Sequence, residues 1–521
     1  MANETKKDLL MNRKDFIKLT AGTIAAAAGL SLPSRAPAAP KEIRYIFNQT
    51  VTTLDPQLHA MRVFESGLRN CYEPLVQRSA DMKRLEPALA ESWQRIDNLT
   101  LRMKLRKGVK FHNGEPFNAQ AVKFSFDRVL DPQSGAPYRV SRYNMVASPV
   151  VVDEYTVDIK THKPDPVLLS RLNGWHMCMI PPQYFKEKGP EAFAKAPVGT
   201  GPFKFVEWVR DGAITFEKNK DYWRGEPKAD RIVFRSVPEN QARVAALKSG
   251  EAHIITHMPP DDIPSIKSDP RLRVEVVPST GILFGQTYFT KPPANNKLVR
   301  QAMNYAVDVD SLIKNVLGGY GVRIATALPE FVWGYDPNIK PYPYDPEKAK
   351  QLLKEAGYPN GVEITFDSVQ GRYLKDKELA QAMAGMLEKV GFKVNLNLYE
   401  VSRVWNMQLE GKIGHLSIWG WGNQMFDADD TLYPEFHSFP GSTQQRESDS
   451  DPEIDKWVEE ARATLDTKRR QELYTKVQER IKDSAPWIFM FQQVDVYGVS
   501  NSVEWKPRSD ELSWLYDASV K

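Results

Sequence analysis

Residues 416–432 read LSIWGWGNQMFDADDTL and gather side chains suited to holding a small solute. Trp419 and Trp421 are separated by one residue, so in an extended strand both indoles point to one face. Glycines 420 and 422 allow close backbone approach, and Gln424, Asp427, Asp429 and Asp430 follow. A strand ending in indoles, an amide and acids supplies apolar walls with a few fixed polar groups, the make-up of a ligand cleft. The same letters also suit a buried aromatic pair beside an exposed acidic loop.

Residue types for covalent chemistry are present without the spacing that chemistry needs. There is no G-x-S-x-G elbow and no Walker-type phosphate loop, so no catalytic residue is assigned. His253 and His257 lie four apart in HIITH, but the segment reads as a strand and lacks the glutamate of H-E-x-x-H. A zinc site needs further ligands that the sequence does not place, so no metal and no cofactor are expected. Carboxylates are too abundant for any pair to stand out as acid and base. The two cysteines, Cys71 and Cys178, fit either one bridge or two buried thiols.

The elements that must carry these residues are legible in outline. Residues 41–47 alternate and read as an opening strand, and a helical stretch is expected from about 63 to 72. Leu99, Leu101, Met103 and Leu105 alternate with polar residues, a half-buried antiparallel strand. Asn118 is placed to cap a helix whose Val122, Phe126 and Val129 share a face. Short strands are expected near 150–160, 203–207, 213–218, 231–237 and 273–277. The second half is more helical: one or two helices over 298–316, one opened by Asp345-Pro346, one over 378–390, and two over 452–465 and 468–483. The strand FKVNLNLYE and a final apolar strand over 488–499 complete an α/β pattern in at least two lobes. Trp405 is expected to pack rather than bind.

Composition narrows the class. The chain has 521 residues, 41% hydrophobic and 26% charged, which is globular rather than disordered. Its 70 basic and 66 acidic residues leave a net charge of +4. Residues 1–38 hold six basic and three acidic residues, so the remainder carries 64 against 63. Such a balance offers no electrostatic footprint for nucleic acid or anionic lipid. The first 38 residues read as an export signal: a basic start, an apolar stretch over 19–32, then Ala36-Pro37-Ala38 as a small-residue cleavage site. Asn12 to Lys18 resembles a twin-arginine signal with Lys14 at the second arginine. A periplasmic location is expected.

Larger fragments carry a resemblance over the whole remaining chain. They are TTLDPQ at 52–57, CYEPLV at 71–76, the signature-like stretch over 89–129, PVGTGPFKFVEW at 197–208, NKDYWRGEPKADRIVFR at 219–235, VRQAMNYAVD at 299–308 and YDPEKAKQLLKEAGYPNG at 344–361. In this order they resemble the extracellular solute-binding proteins of family 5, the dipeptide, oligopeptide and nickel-chelate receptors of ABC importers. The resemblance implies a two-lobed, type II, hinge-closing periplasmic binding protein. The first lobe would span 39–285 with an inserted subdomain at 82–190 and a returning tail at 490–521; the second would span 286–489. Crossings near 286–290 and 489–493 would form the hinge. It further implies a monomer that captures a small peptide-like solute and delivers it to a membrane permease powered by an ATPase. Cleft contacts carried over by position are Met61 and Phe64 in the loop after LDPQ, and Trp175 in Asn-Gly-Trp-His.

Peptide-binding relatives carry an aspartate just after the G-W-G-type strand, paired with the peptide's α-ammonium. Here that position is Gln424, and a neutral amide cannot form that ion pair. Either Asp427 takes the role, or the solute is an opine, modified peptide, sugar or metal chelate. An exported hydrolase and a receptor reporting to a membrane sensor are the competing readings.

Overall fold

The computed structural model describes residues 40–58, 67–137, 139–210, 212–439 and 451–521. The export segment, Met61, Phe64 and residues 63–66 of the helix expected over 63–72 lie outside the described residues; of the rest only 67 and 68 are helical.

Eleven strands form the largest sheet among the described residues. In chain order they are β1 (Glu42–Phe47), β2 (Phe203–Trp208), β3 (Ala213–Lys218), β4 (Arg231–Ser236), β5 (Ile254–Ile255), β6 (Leu272–Thr287), β7 (Gly321–Arg323), β8 (Val362–Val369), β9 (Phe392–Tyr399), β10 (Leu416–Gly422) and β11 (Trp487–Ser500). Across the sheet they run β9-β8-β10-β6-β11-β5-β1-β4-β3-β2, with β7 also beside β11. The long antiparallel neighbours β6 and β11 therefore join strands drawn from the first half of the chain to strands drawn from the second. Their pairing is interrupted between Pro278↔Val494 and Ile282↔Gln492. On one side of that break β11 pairs with β5 at Gly498 and Val499. On the other side β6 pairs with β10 from Gly281 to Thr287.

Separate cores flank the sheet. Tyr45, Phe216, Ile232 and Phe234 pack together beside β1 and β4. A four-stranded sheet made from segments between 90 and 160 packs on α1 (Ala119–Leu130). Its core holds Leu101, Met103, Leu105, Val122, Phe126 and Val129, positions that the alternation and the helical spacing select, whereas Leu99, the first of the alternating residues, precedes the strand and is exposed. The helices α2 (Lys297–Ala306), α3 (Pro346–Glu355) and α4 (Asp376–Glu388) cover β8 with Met303, Leu352, Leu379 and Met383. The helices α5 (Asp429–Phe436), α6 (Pro452–Ala463) and α7 (Thr467–Ser484) bury Leu432, Val458, Leu473 and Tyr474 in a further core.

Local chemistry explains the boundaries. Asn118 accepts hydrogen bonds from the backbone N–H groups of Gln120 and Ala121, satisfying donors that the first turn of α1 leaves orphaned. Asp345 does the same for Lys348, ahead of Pro346 at the first position of α3. The stretch 298–316 is broken because Asp308 turns its carboxylate onto the N–H of Ser311 and starts a new, shorter turn. The helix expected from 378 begins earlier, at Asp376, whose carboxylate collects the N–H groups of Gly371, Arg372 and Tyr373.

Both cysteines are buried free thiols, and burial pushes the Cys71 thiol up. Beside them His112 accepts the Gly199 N–H at Nδ1 (3.3 Å) and donates from Nε2 to the Gly201 carbonyl (2.9 Å). Desolvation lowers its pKa from 6.5 to about 4, and that of His257 to about 3. Both are therefore neutral when folded while the unfolded chain takes up protons near 6.5. Their contribution to stability is complete above pH 6.5 and declines as pH falls toward the folded values. Each group adds a slope of up to about 1.4 kcal/mol per pH unit in that window. Urea midpoints measured from pH 7 to 4.5 should fall, and His112→Gln should flatten the decline.

Candidate functional site

Strand β10 buries Leu416 and Ile418 completely and leaves Trp419 and Trp421 half-buried on one face. It pairs with β6, placing Trp421 opposite Ile282 and Trp419 opposite Phe284. Both indole N–H groups have protein acceptors. Trp419 Nε1 donates to the Tyr288 hydroxyl at 3.0 Å, and Trp421 Nε1 donates to the Asp430 carbonyl at 2.8 Å. The Arg142 guanidinium lies 5.3 Å above the Trp421 ring. The close approach that Gly420 permits is taken by Tyr373, whose hydroxyl accepts the Gly420 N–H at 2.9 Å. Trp405 is 45% exposed and meets Trp419 edge-on at 6.1 Å.

The acidic loop is buried rather than solvated. Asp427, Asp429 and Asp430 are each less than one-tenth exposed, and arginines from distant segments neutralise them. Asp427 pairs with Arg470 on α7 at 2.8 Å. Asp429 pairs with Arg171 at 2.5 Å and with Arg462 on α6 at 2.7 Å. Asp430 pairs with Arg142 at 2.6 Å, while its other oxygen accepts the N–H groups of Gln424 (2.6 Å) and Met425 (3.2 Å). Burial alone would raise the Asp429 carboxyl, but Arg171 and Arg462 outweigh it and hold it below the usual range. Arg142 and Arg171 belong to the segment that carries the α1 core, so this loop stitches that segment to α6 and α7. Asn144 adds to the seam, donating to the Tyr433 hydroxyl at 3.0 Å and accepting from Arg462 at 3.0 Å.

Asp430 thereby fixes the loop that carries Gln424 into a cavity. The cavity holds about 540 Å³ of space not filled by protein, part of it open to solvent. Gln424 and Trp175, 249 positions apart in sequence, line it together with Arg69, Arg78, Arg508 and Asp510. Trp419, Trp421 and Asp427 do not line it: the indole N–H groups are held by Tyr288 and the Asp430 carbonyl, and Asp427 is committed to Arg470.

The cavity's electrostatics come from its arginines. Arg508 grips Asp510 through two hydrogen bonds of 2.9 and 2.7 Å and donates to the Arg78 carbonyl at 3.1 Å. Burial would raise the Asp510 carboxyl, but Arg508 first and Arg69 with it bring it below the usual range. Arg78 stacks 4.2 Å above the Phe426 ring and donates to the Met82 and Met425 carbonyls. Burial lowers its pKa to about 10, which leaves it cationic near neutral pH. Three guanidinium groups thus face one carboxylate.

Sequence reasoning missed the arginines because no local motif marks them. Arg508 and Asp510 stand in the terminal tail, and Arg69 and Arg78 flank the CYEPLV fragment. Only the fold brings these segments to Gln424. Among the described residues no cluster of three or more histidine, cysteine or acidic side chains is placed to hold a metal ion, and no helix is long and apolar enough to cross a membrane.

Comparison with known proteins supplies the lineage. Residues 84–443 match the model for bacterial extracellular solute-binding proteins, family 5. The chain belongs to this family. Heme-binding protein A of Haemophilus influenzae is 33% identical over 449 residues, covering 82% of each chain. Glutathione-binding protein GsiB of Pectobacterium atrosepticum is 34% identical over 464 residues, covering 87% of this chain and 88% of that one. Among solved structures, the periplasmic binding protein DppA of Helicobacter pylori in complex with the peptide STSA superposes with a TM-score of 0.82. It is 28% identical, with 92% of this chain and 98% of that chain covered. The family 5 fold thus accounts for the large mixed sheet and for strands that run between its two halves.

Proposed function

We propose that this chain is the periplasmic solute receptor of an ABC importer. In this reading the first 38 residues direct export. The folded body then captures a peptide or peptide-like solute as a monomer and presents it to a membrane permease driven by an ATPase. No covalent step is involved. The observation that carries the reading is the cavity where Gln424, from the loop after β10, meets Trp175, Arg69 and the terminal tail. Thr280, in the register break between β6 and β11, donates to the Ser509 carbonyl and accepts the Asn423 N–H, next to the lining residues Arg508, Asp510 and Gln424, so bending there would move one wall against the other. A solute that touches both walls binds the closed form better than the open one, and that difference is what drives closure. The peptide, glutathione and heme named for the three relatives support a small organic solute.

A thermal-shift screen tests this with glutathione, di- to pentapeptides, opines, oligosaccharides and nickel–histidine complexes. A solute at 100 times its dissociation constant should stabilise the protein by about 2.7 kcal/mol. A shift from at least one class supports the receptor. Release of a cleaved product from peptides or glycosides, with no stabilisation by any solute, would replace it with an exported hydrolase.

A further inference from the structure

Contacts between the first-lobe and second-lobe segments are unevenly divided. Three first-lobe arginines converge on one second-lobe loop, residues 421–430. Arg78 donates to the Met425 carbonyl at 3.0 Å and lies 4.2 Å above the Phe426 ring. Arg142 pairs with Asp430 at 2.6 Å and donates to the Gly422 carbonyl at 3.3 Å. Arg171 pairs with Asp429 at 2.5 Å. The three arginines and both carboxylates are buried. Among the described residues one other ion pair joins the two sets of segments, Lys375 to Asp261 at 2.5 Å. That pair is solvated, with the Asp261 side chain 73% exposed.

The loop is also held in a costly shape. Phe426 has a φ of +57°, in the left-handed region that a bulky side chain seldom adopts. Such a residue persists only where its surroundings over-determine it. Here Phe331 lies 5.7 Å away ring to ring, the Trp333 N–H donates to the Phe426 carbonyl at 3.0 Å, and Arg78 covers the ring from the other lobe. Parting the lobes would remove Arg78 and strip Asp430 from Arg142 and Asp429 from Arg171.

From this one-sided arrangement we propose that Arg78, Arg142 and Arg171 form a clasp that keeps the lobes closed in the absence of solute. Every contact of the clasp is between protein groups, so its strength does not depend on what the cavity holds. Breaking a buried ion pair is expensive, whereas a solvated pair is worth little, so the clasp rather than Lys375 sets the balance. Solute enters on rare openings and adds to a closure already favoured, a shift of an existing population. Asp430 also accepts the Gln424 N–H at 2.6 Å, so the clasp and the cavity wall close together.

This inference rests on the two-lobed receptor reading, and the experiment separates the two. Full-length protein carrying Gln133→Cys and Lys456→Cys is spin-labelled at these exposed positions, one on each lobe, and freed of solute by dialysis from urea. Both native cysteines are buried, so the introduced ones take the label. Pulsed electron–electron double resonance should show one dominant short distance. Adding Arg142→Gln should lower the ratio of short to long distances by about tenfold or more, the scale of a charge-assisted hydrogen bond. Adding Lys375→Gln should leave the ratio within about twofold, as for a solvated pair. Should Arg142→Gln fail to fold, Asn144→Ala, which removes only the hydrogen bonds to Tyr433 and Arg462, should still lower the ratio severalfold. A long distance that dominates without solute, or a distribution that the folded variant leaves unchanged, overturns the clasp. Neither result touches the receptor reading, which the stabilisation screen decides on its own.

Discussion

Replacing Arg171 with methionine should cost about 3–5 kcal/mol of folding free energy, the range seen when one partner of a buried ion pair is removed. Arg171 is fully buried and holds two carboxylates, Asp165 at 2.7 Å and Asp429 at 2.5 Å. It also donates to the Arg142 carbonyl at 2.9 Å, so its loss strips three acceptors at once. Burial opposes its charge, but Asp165 and Asp429 more than offset that and hold it firmly protonated. In the variant Asp429 keeps Arg462, whereas Asp165 loses its cation. Urea unfolding at pH 7 checks the prediction, and a loss below about 1 kcal/mol would place the pair in the range of solvent-screened surface bridges. The pH dependence has a definite sign. The folded Asp429 carboxyl sits below its ordinary value, so its stabilisation is present above the usual carboxylate range and is lost as pH falls through the folded value. The variant should therefore show a shallower acid decline than wild type.

Asp430→Asn should damage both stability and capture. One carboxylate oxygen of Asp430 accepts from Arg142 at 2.6 Å, and the other accepts two backbone N–H groups, from Gln424 and Met425. An amide of the same shape can accept on one side only; its NH₂ must face either the guanidinium or the two backbone donors. The expected cost is again about 3–5 kcal/mol, because Arg142 loses its counter-charge in the interior. Binding suffers through geometry. Asp430 does not line the cavity, yet it holds the turn that presents Gln424, so it acts as a positioning residue. Affinity for whichever solute binds wild type should fall at least tenfold. Loss of stability with unchanged affinity would detach the loop from the site. The Arg171→Met and Asp430→Asn effects should not add, since both act on one connected network.

The fold was readable wherever a local pattern decides the element. The alternation of Leu101, Met103 and Leu105, the Asn118 cap and the Asp345-Pro346 start each depend on neighbours within a few residues, and each stands where the pattern puts it. The sheet's first and last strands in chain order were readable for the same reason, KEIRYIF at β1 and the apolar run at β11. The exposed acidic loop that the same letters allowed is not formed, and the sequence could not exclude it because the partners of these acids are remote. Arg142 and Arg171 lie more than 250 positions upstream of Asp429 and Asp430, and nothing local in DADD tells a solvated acid from one matched by a distant arginine. The indole pair had the opposite fault. Its spacing correctly places both rings on one face of β10, but spacing does not say that Tyr288 and the Asp430 carbonyl already occupy the indole N–H groups. The cavity's arginines were invisible because a near-neutral overall charge hides a local excess that only tertiary structure assembles.

Hydrogen exchange of the protein with and without the tightest-binding solute of the screen tests the central claim most directly. The account predicts simultaneous slowing in three segments remote in sequence, around 173–175, 424–430 and 508–514, because one solute bridges both walls of the cavity. A solute that binds and leaves all three unchanged, or protects only one wall, would contradict it and move the site elsewhere on the fold.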